Sequence, residues 1–290
     1  MGTSQSSAGP KSGVPMVPPW TPAPPAGDTA SGAPPTNGDA EPTDQGVGSD
    51  SNAPPEVPAQ HQAPLAPPAR FQGTRTCAGD YARTGDGRAL RRSLRHYVRN
   101  GYGGSGTTTL RFGGTATTAG ALGNALARAA SGQPAVPGSP LDPALLAGRS
   151  AKEVMDAVVE AVRPVDGTQD AEAARTSIRE ALSDVLTRFP EADLLNLEDD
   201  QRNFAIERFT AIDVFHRYQL DVGKTIIEKA PSAVTAVSRL KQVRDYVKET
   251  VSASFRKLRE AGRSLSAGRI SRVVRDALRE TFLVFEGYTE

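Results

Sequence analysis

Cysteine is nearly missing from this chain. Cys77 is the only one in 290 residues, which excludes an intrachain disulfide and a cysteine-built metal site. Histidine is almost as scarce: His61, His96 and His216 are far apart, and the cluster Glu198-Asp199-Asp200 has no histidine or further acid at ligand spacing, so no metal or other cofactor is expected. No apolar run approaches the roughly 18–20 residues of a membrane span. The N-terminus lacks a basic stretch followed by an apolar one, so a secretory signal is not expected and the reading is cytoplasmic. The catalytic signatures G-x-S-x-G and H-E-x-x-H are also missing, and an enzyme is not expected.

What is present comes in blocks. The formal charge of +1 hides four segments of alternating sign. Residues 1–69 hold one lysine against six acids, and residues 70–132 hold ten arginines against two aspartates. Residues 133–235 carry eleven basic and eighteen acidic side chains, and residues 236–290 carry twelve and seven. Such blocks point to pairing within the chain or docking to a partner. A nucleic-acid binder would show a basic excess over its whole domain.

The first block also holds sixteen of the 23 prolines. A segment of Pro, Ala, Gly, Asp and Ser buries too little apolar surface to offset the entropy of ordering it, so residues 1–69 are read as a long disordered arm. Its first twenty residues, MGTSQSSAGPKSGVPMVPPW, gather Val14, Met16, Val17 and Trp20 beside prolines, as short docking peptides do. Removal of Met1 ahead of a small residue exposes the Gly2 amine. An α-amino group titrates near ~7.7–8.0, so a useful fraction of it is nucleophilic in cells. The same letters fit a myristoylation pattern, but Lys11 alone is too little basic support for a single acyl anchor.

The second block opens with eight arginines between Arg70 and Arg99. RALRRSLRHYVR is expected to be a helix with Leu90, Leu94, Tyr97 and Val98 on one side, stopped at Asn100-Gly101. Arg88, Arg91, Arg92 and Arg95 on its other side fit an acidic partner or phosphate, or else pairing with the acidic block downstream. Next comes the unit on which the chain turns, YVRNGYGGSGTTTLRFGGTATTAGALG. Gly101 to Gly106 has the frame of a phosphate loop, and Gly103 and Gly104 lie within it. Thr107, however, stands where the lysine is required, and a helix rather than a strand precedes it. Thr115 to Arg128 reads as a small-residue helix suited to close packing, with Gly113-Gly114 as its stop.

The remainder is helix-patterned. Ser150 and Glu153 form a capping box for a helix to Val162. Further helices are expected over about Asp170–Phe189, Glu198–Ala230, Pro231–Ala261 and Ser266–Phe285. The core positions include Phe204, Phe209, Phe215, Leu220, Val237, Val247, Phe282 and Val284. His216 reads as structural, and Glu198-Asp199-Asp200 as negative charge at a helix start. The fold class is all-α, a helical bundle behind the arm. It divides into residues 1–69, an Arg/Gly/Thr segment at 70–132 and a bundle at 133–290.

The opening twenty residues, together with ARTGDGRALRRSLRHYVRNGYGGSGTTTLRFGGTATTAGALGNAL, resemble the QatB family of the bacterial Qat anti-phage defence systems. The likeness covers residues 1–20 and about 70–130; the later helices are consistent with it but carry no signature of their own. The resemblance implies three partners, an ATPase (QatA), a QueC-like enzyme (QatC) and a TatD-like DNase (QatD), and a non-enzymatic role for this chain. QueC-type enzymes activate a 7-deazaguanine carboxylate with ATP and capture it with an amine. The resemblance thus nominates Gly2 as acceptor, with Thr3, Ser4, Ser6, Gly9, Pro10 and Trp20 as recognition positions. Two other readings stand beside it: a sensor of phage nucleic acid that uses the arginines and Gly-rich loop, and a structural scaffold for the ATPase.

Overall fold

The computed structural model describes residues 69–131, 138–266 and 268–288. Gly2, Thr3, Ser4, Ser6, Gly9, Pro10 and Trp20 lie outside the described residues. Within them the chain is all-α, with no strand. The helices are α1 (Gln72–Thr84), α2 (Gly87–His96), α3 (Ser105–Arg111), α4 (Gly113–Ala130), α5 (Pro143–Leu146), α6 (Ala151–Val162), α7 (Gln169–Arg188), α8 (Asp199–Tyr218), α9 (Lys224–Lys229), α10 (Ala233–Glu260) and α11 (Ile270–Glu286). Two π-turns, Tyr97–Gly101 after α2 and Gln219–Gly223 after α8, break the regular pitch.

α8 is the central post. Ile206, Phe209, Ala211, Ile212, Val214 and Phe215 are buried on several of its sides, because α7, α10 and α4 all pack against it. A helix apolar most of the way round has to be surrounded. The other helices bury one stripe each: Val154, Val158 and Val159 on α6, and Val243, Val247, Val251 and Phe255 on α10. Residues from α1, α2 and α4 belong to the same hydrophobic core as those from α6 to α11.

Local chemistry sets the helix starts. Ser150 and Glu153 make the reciprocal cap expected of them at α6. Thr168 caps α7, and Glu198 with Gln201 caps α8. Ser232 caps α10 through the Thr235 N–H at 3.1 Å, so Pro231 stays outside the helix instead of filling its first turn. Gly113 and Gly114 do not stop the helix that follows; they begin it. The expected helix from Glu198 to Ala230 is split by the second π-turn. Leu220 in that turn is half-exposed, and Val237 and Val284, expected in the core, also face solvent on the outer sides of α10 and α11.

The small-residue helix packs as its composition requires. A Cβ on Gly120 would run into the Ser271 side chain, and one on Gly123 into Ile270 and Ile206. α4 therefore lies backbone-close to α11 and α8. Gly123→Val should destabilise the protein by about 1–3 kcal/mol through overpacking. A thermal melt should show a midpoint lower by roughly 3–10 °C.

Candidate functional site

The first candidate is a buried nest where the two π-turns meet, and π-turns inside helices are frequent at functional sites. Asp221, in the second turn, accepts hydrogen bonds from the Tyr97 hydroxyl at 3.0 Å and the Tyr102 hydroxyl at 2.9 Å. Its backbone oxygen accepts from the Arg75 guanidinium at 3.3 and 3.4 Å. Tyr97 stacks on Phe71 at 5.5 Å and meets Tyr102 and Tyr218 edge-on at 5.1 Å. Arg70 caps the group, 4.5 Å above the Phe71 ring. Burial raises the Asp221 carboxyl above its ordinary value, against the two tyrosine hydroxyls and the charges of Arg70 and Arg75. Burial also pushes the Tyr102 phenol up to about 12, so it stays a hydrogen-bond donor.

The Gly-rich loop is the second. Gly101 ends the first π-turn under the Phe71 ring, where a Cβ would collide. Gly103 and Gly104 both have positive φ, 83° and 103°, a conformation that glycine adopts without a Cβ penalty. They turn the chain into α3, whose second residue is Gly106. The first N–H of α3, on Ser105, donates to Glu286 Oε2 at 3.0 Å. The position at which a phosphate loop would hold its anion is filled by a carboxylate from the last helix. Hydrogen bonding from Ser105 holds the Glu286 carboxyl below its usual range. Gly113 and Gly114 are not part of this loop; Gly114 lies beside the Arg217 guanidinium.

The arginines separate into two sets. Arg70 and Arg75 do reach the acidic block, at Asp221. Arg88 and Arg91 are exposed and Arg92 half-buried on α2, and none of the three makes an ion pair with a described residue. Arg95, on the same helix, is half-buried. The acidic block is answered instead from its own helices and from α10: Arg179 pairs with Asp156, Arg244 with Glu180, Lys248 with Asp184 and Arg259 with Glu207.

His216 sits in a line that superficially resembles a catalytic triad. Its Nδ1 is 2.9 Å from Ser177 Oγ and its Nε2 is 3.5 Å from Glu180. Ser177 is fully buried and its hydroxyl donates to the Ala173 carbonyl, so no substrate carbon can approach it. Next to it the fully buried Asp213 carboxylate takes a 2.5 Å hydrogen bond from Thr115 and faces Arg217 at 3.3 Å. This is a polar tie between α4, α7 and α8. Above it lies an open groove of about 700 Å³ between α7 and the second π-turn, with Leu220 and Ile227 on its wall. Asp221, Glu286 and Leu220 have no local signature in the sequence, because their partners are more than a hundred residues away or they depend on the π-turn.

Together these features define an all-α protein whose polar clusters hold helices together and whose α2 arginines Arg88, Arg91 and Arg92 make no ion pair with a described residue. The family model of the Qat anti-phage system associated protein QatB matches residues 103–285, well over half of the chain. The chain belongs to the QatB family. The match extends through the later helices, which carried no signature in the sequence. No curated protein and no solved structure matches it.

Asp221→Ala should cost about 1–3 kcal/mol in urea unfolding at pH 7, because it leaves the buried Tyr97 hydroxyl without an acceptor. Asp221→Asn keeps an acceptor and should retain most of that stability. Because the folded pKa is raised, the wild-type carboxyl favours the fold at low pH and loses that contribution as pH rises through the folded value; Asn abolishes the dependence. Glu286 has the opposite sign. Its depressed pKa stabilises the fold above the ordinary carboxylate range and ceases to do so as pH falls through the folded value. Glu286→Gln should therefore melt below wild type at pH 7, and the gap should close towards pH 3.

Proposed function

We propose that this chain is a non-enzymatic member of its Qat system, acting as an adaptor that is itself modified at Gly2. The modifying enzyme is the QueC-like partner, QatC. Family membership supports association with other Qat components. The observation that carries the finer reading is Gly2 itself: a small, unhindered residue behind Met1, at the tip of a Pro-rich stretch that precedes the helical body by nearly seventy residues. Such a stretch gives an amine the reach to enter a partner's active site. Thr3, Ser4, Ser6, Gly9, Pro10 and Trp20 would supply the recognition peptide. The glycine nitrogen attacks the activated 7-deazaguanine carboxyl carbon, the activating group leaves, and an amide forms after loss of a proton from nitrogen.

The body supports an adaptor role through three arginines of α2 that make no ion pair with a described residue. Arg88, Arg91 and Arg92 are available to an acidic partner surface, and guanidinium forks suit carboxylates. The partners on this reading are QatC and the ATPase QatA, with the DNase QatD a further member of the set, all in the cytoplasm.

Intact-mass measurement tests the reading directly. Co-expression with QatC should add mass to the N-terminal peptide of the wild-type chain and none to Gly2→Pro, whose amine is secondary and hindered. The body lies outside the altered region, so both proteins should melt alike. An unmodified N-terminus in cells that resist phage would overturn the proposal.

A further inference from the structure

α11 carries a second basic line, separate from that of α2. Arg272, Arg275 and Arg279 are exposed, and their spacing of three and four residues puts them on one face. Leu283 continues the line four residues on and is 46% exposed. Glu286 follows on the same face, but its carboxylate is occupied by the Ser105 N–H. The two acids bordering the line, Asp276 and Glu280, are held by Arg263 and Lys257.

Away from α11 and its start, every described arginine beyond residue 138 but Arg256 meets an acid or an aromatic ring. Among the described residues there, those with neither an ion pair nor an aromatic ring are Arg256, Arg269, Arg272, Arg275 and Arg279, and four of these five stand on α11 or at its start. Like charges three and four residues apart repel along a helix. Their concentration on one face disfavours α11 in isolation and favours it against a surface of opposite sign.

We propose that this face of α11 docks an acidic amphipathic helix of another protein of the same Qat system. From Arg272 to Leu283 is eleven residues, about 16 Å of helix. Three turns of a partner helix, with carboxylates at 3–4 spacing and an apolar side chain at one end, match that length and order. Leu283 favours a protein over a nucleic acid, because a charged sugar–phosphate backbone is met by cationic and polar groups and offers an exposed leucine little apolar surface to bury. The large apolar side chains exposed among the described residues include no aromatic ring on which a base could stack. The proposal does not depend on modification of Gly2.

The test uses the full-length tagged chain co-expressed with the other Qat proteins. Thermal melts check that R272E/R275E/R279E and L283D remain folded. Association with one Qat protein should weaken roughly tenfold or more in both variants, as expected for several lost contacts. In R272K/R275K/R279K, a zero-length carbodiimide should join the introduced amines to that protein, at Asp or Glu residues three or four apart. The proposal fails if the triple reversal leaves every Qat association intact. It fails equally if the amines cross-link to a second copy of this chain. A third result against it is binding to a 20-base-pair DNA duplex that R272E/R275E/R279E abolishes and L283D does not touch.

Discussion

Asp221 holds a carboxylate where the two π-turns meet, and the seating of the N-terminal helices depends on it. Its Oδ2 atom, which accepts from both Tyr97 and Tyr102, and its backbone carbonyl, which accepts from Arg75, fasten these residues to the second π-turn. Around them pack the rings of Phe71, Tyr97, Tyr102 and Tyr218. A buried carboxyl is costly unless its hydrogen bonds are made, so the geometry is all or nothing. With the bonds made, α1 and α2 are locked to α8 and α9. Without them, the buried Tyr97 hydroxyl and the half-buried Tyr102 hydroxyl at the first π-turn would both lose this acceptor. Ser93 reinforces the lock, its hydroxyl bonding to the Thr74 carbonyl at 3.0 Å and meeting Tyr218 at 2.7 Å.

The distribution of charge follows from how the helices meet. α7, α8 and α10 lie side by side, so the acids of residues 133–235 find their cations on α10 and within their own block. That leaves α2 and α11 with guanidinium groups that no described carboxylate reaches. The blocked charge pattern of the sequence thus becomes a sorted surface: neutralised seams inside the bundle and unneutralised faces outside. Docking energy on such faces comes from charge-assisted contacts and responds to salt, whereas the seams, being partly desolvated, respond much less.

Much of the helical body was legible. The capping box at Ser150, the stripes of α6, α7, α10 and α11, and the close-packing glycines of α4 all follow from local rules. What was hidden arises from π-turns and long-range partners. The extra residue in Gln219–Gly223 rotates everything after it, which moves Leu220 from an expected core position to a groove wall. α1 carries Gly73, Thr74, Thr76 and Gly79 and no side-chain N-cap; only its packing on α2 and α9 makes it a helix. The Gly-rich stretch was recognisable as the pivot, but the acid that completes it is 181 positions away, beyond any local pattern. The faces on α2 were visible as a run of arginines, while that on α11 emerged only once Asp276 and Glu280 were seen to be engaged.

The Ser105–Glu286 bond has a consequence for how the protein is made. Chains are synthesised from the N-terminus, and the loop at Gly103–Gly104 leaves the ribosome long before α11 exists. Through that interval the start of α3 has its N–H groups and the nearby arginines but no carboxylate to answer them. The nascent chain is thus more cationic at this spot than the finished protein, and α11 seals it last. Folding dominated by contacts of such sequence separation is slow. The final helix therefore serves as the closing clasp of a structure whose opening loop was laid down at the beginning.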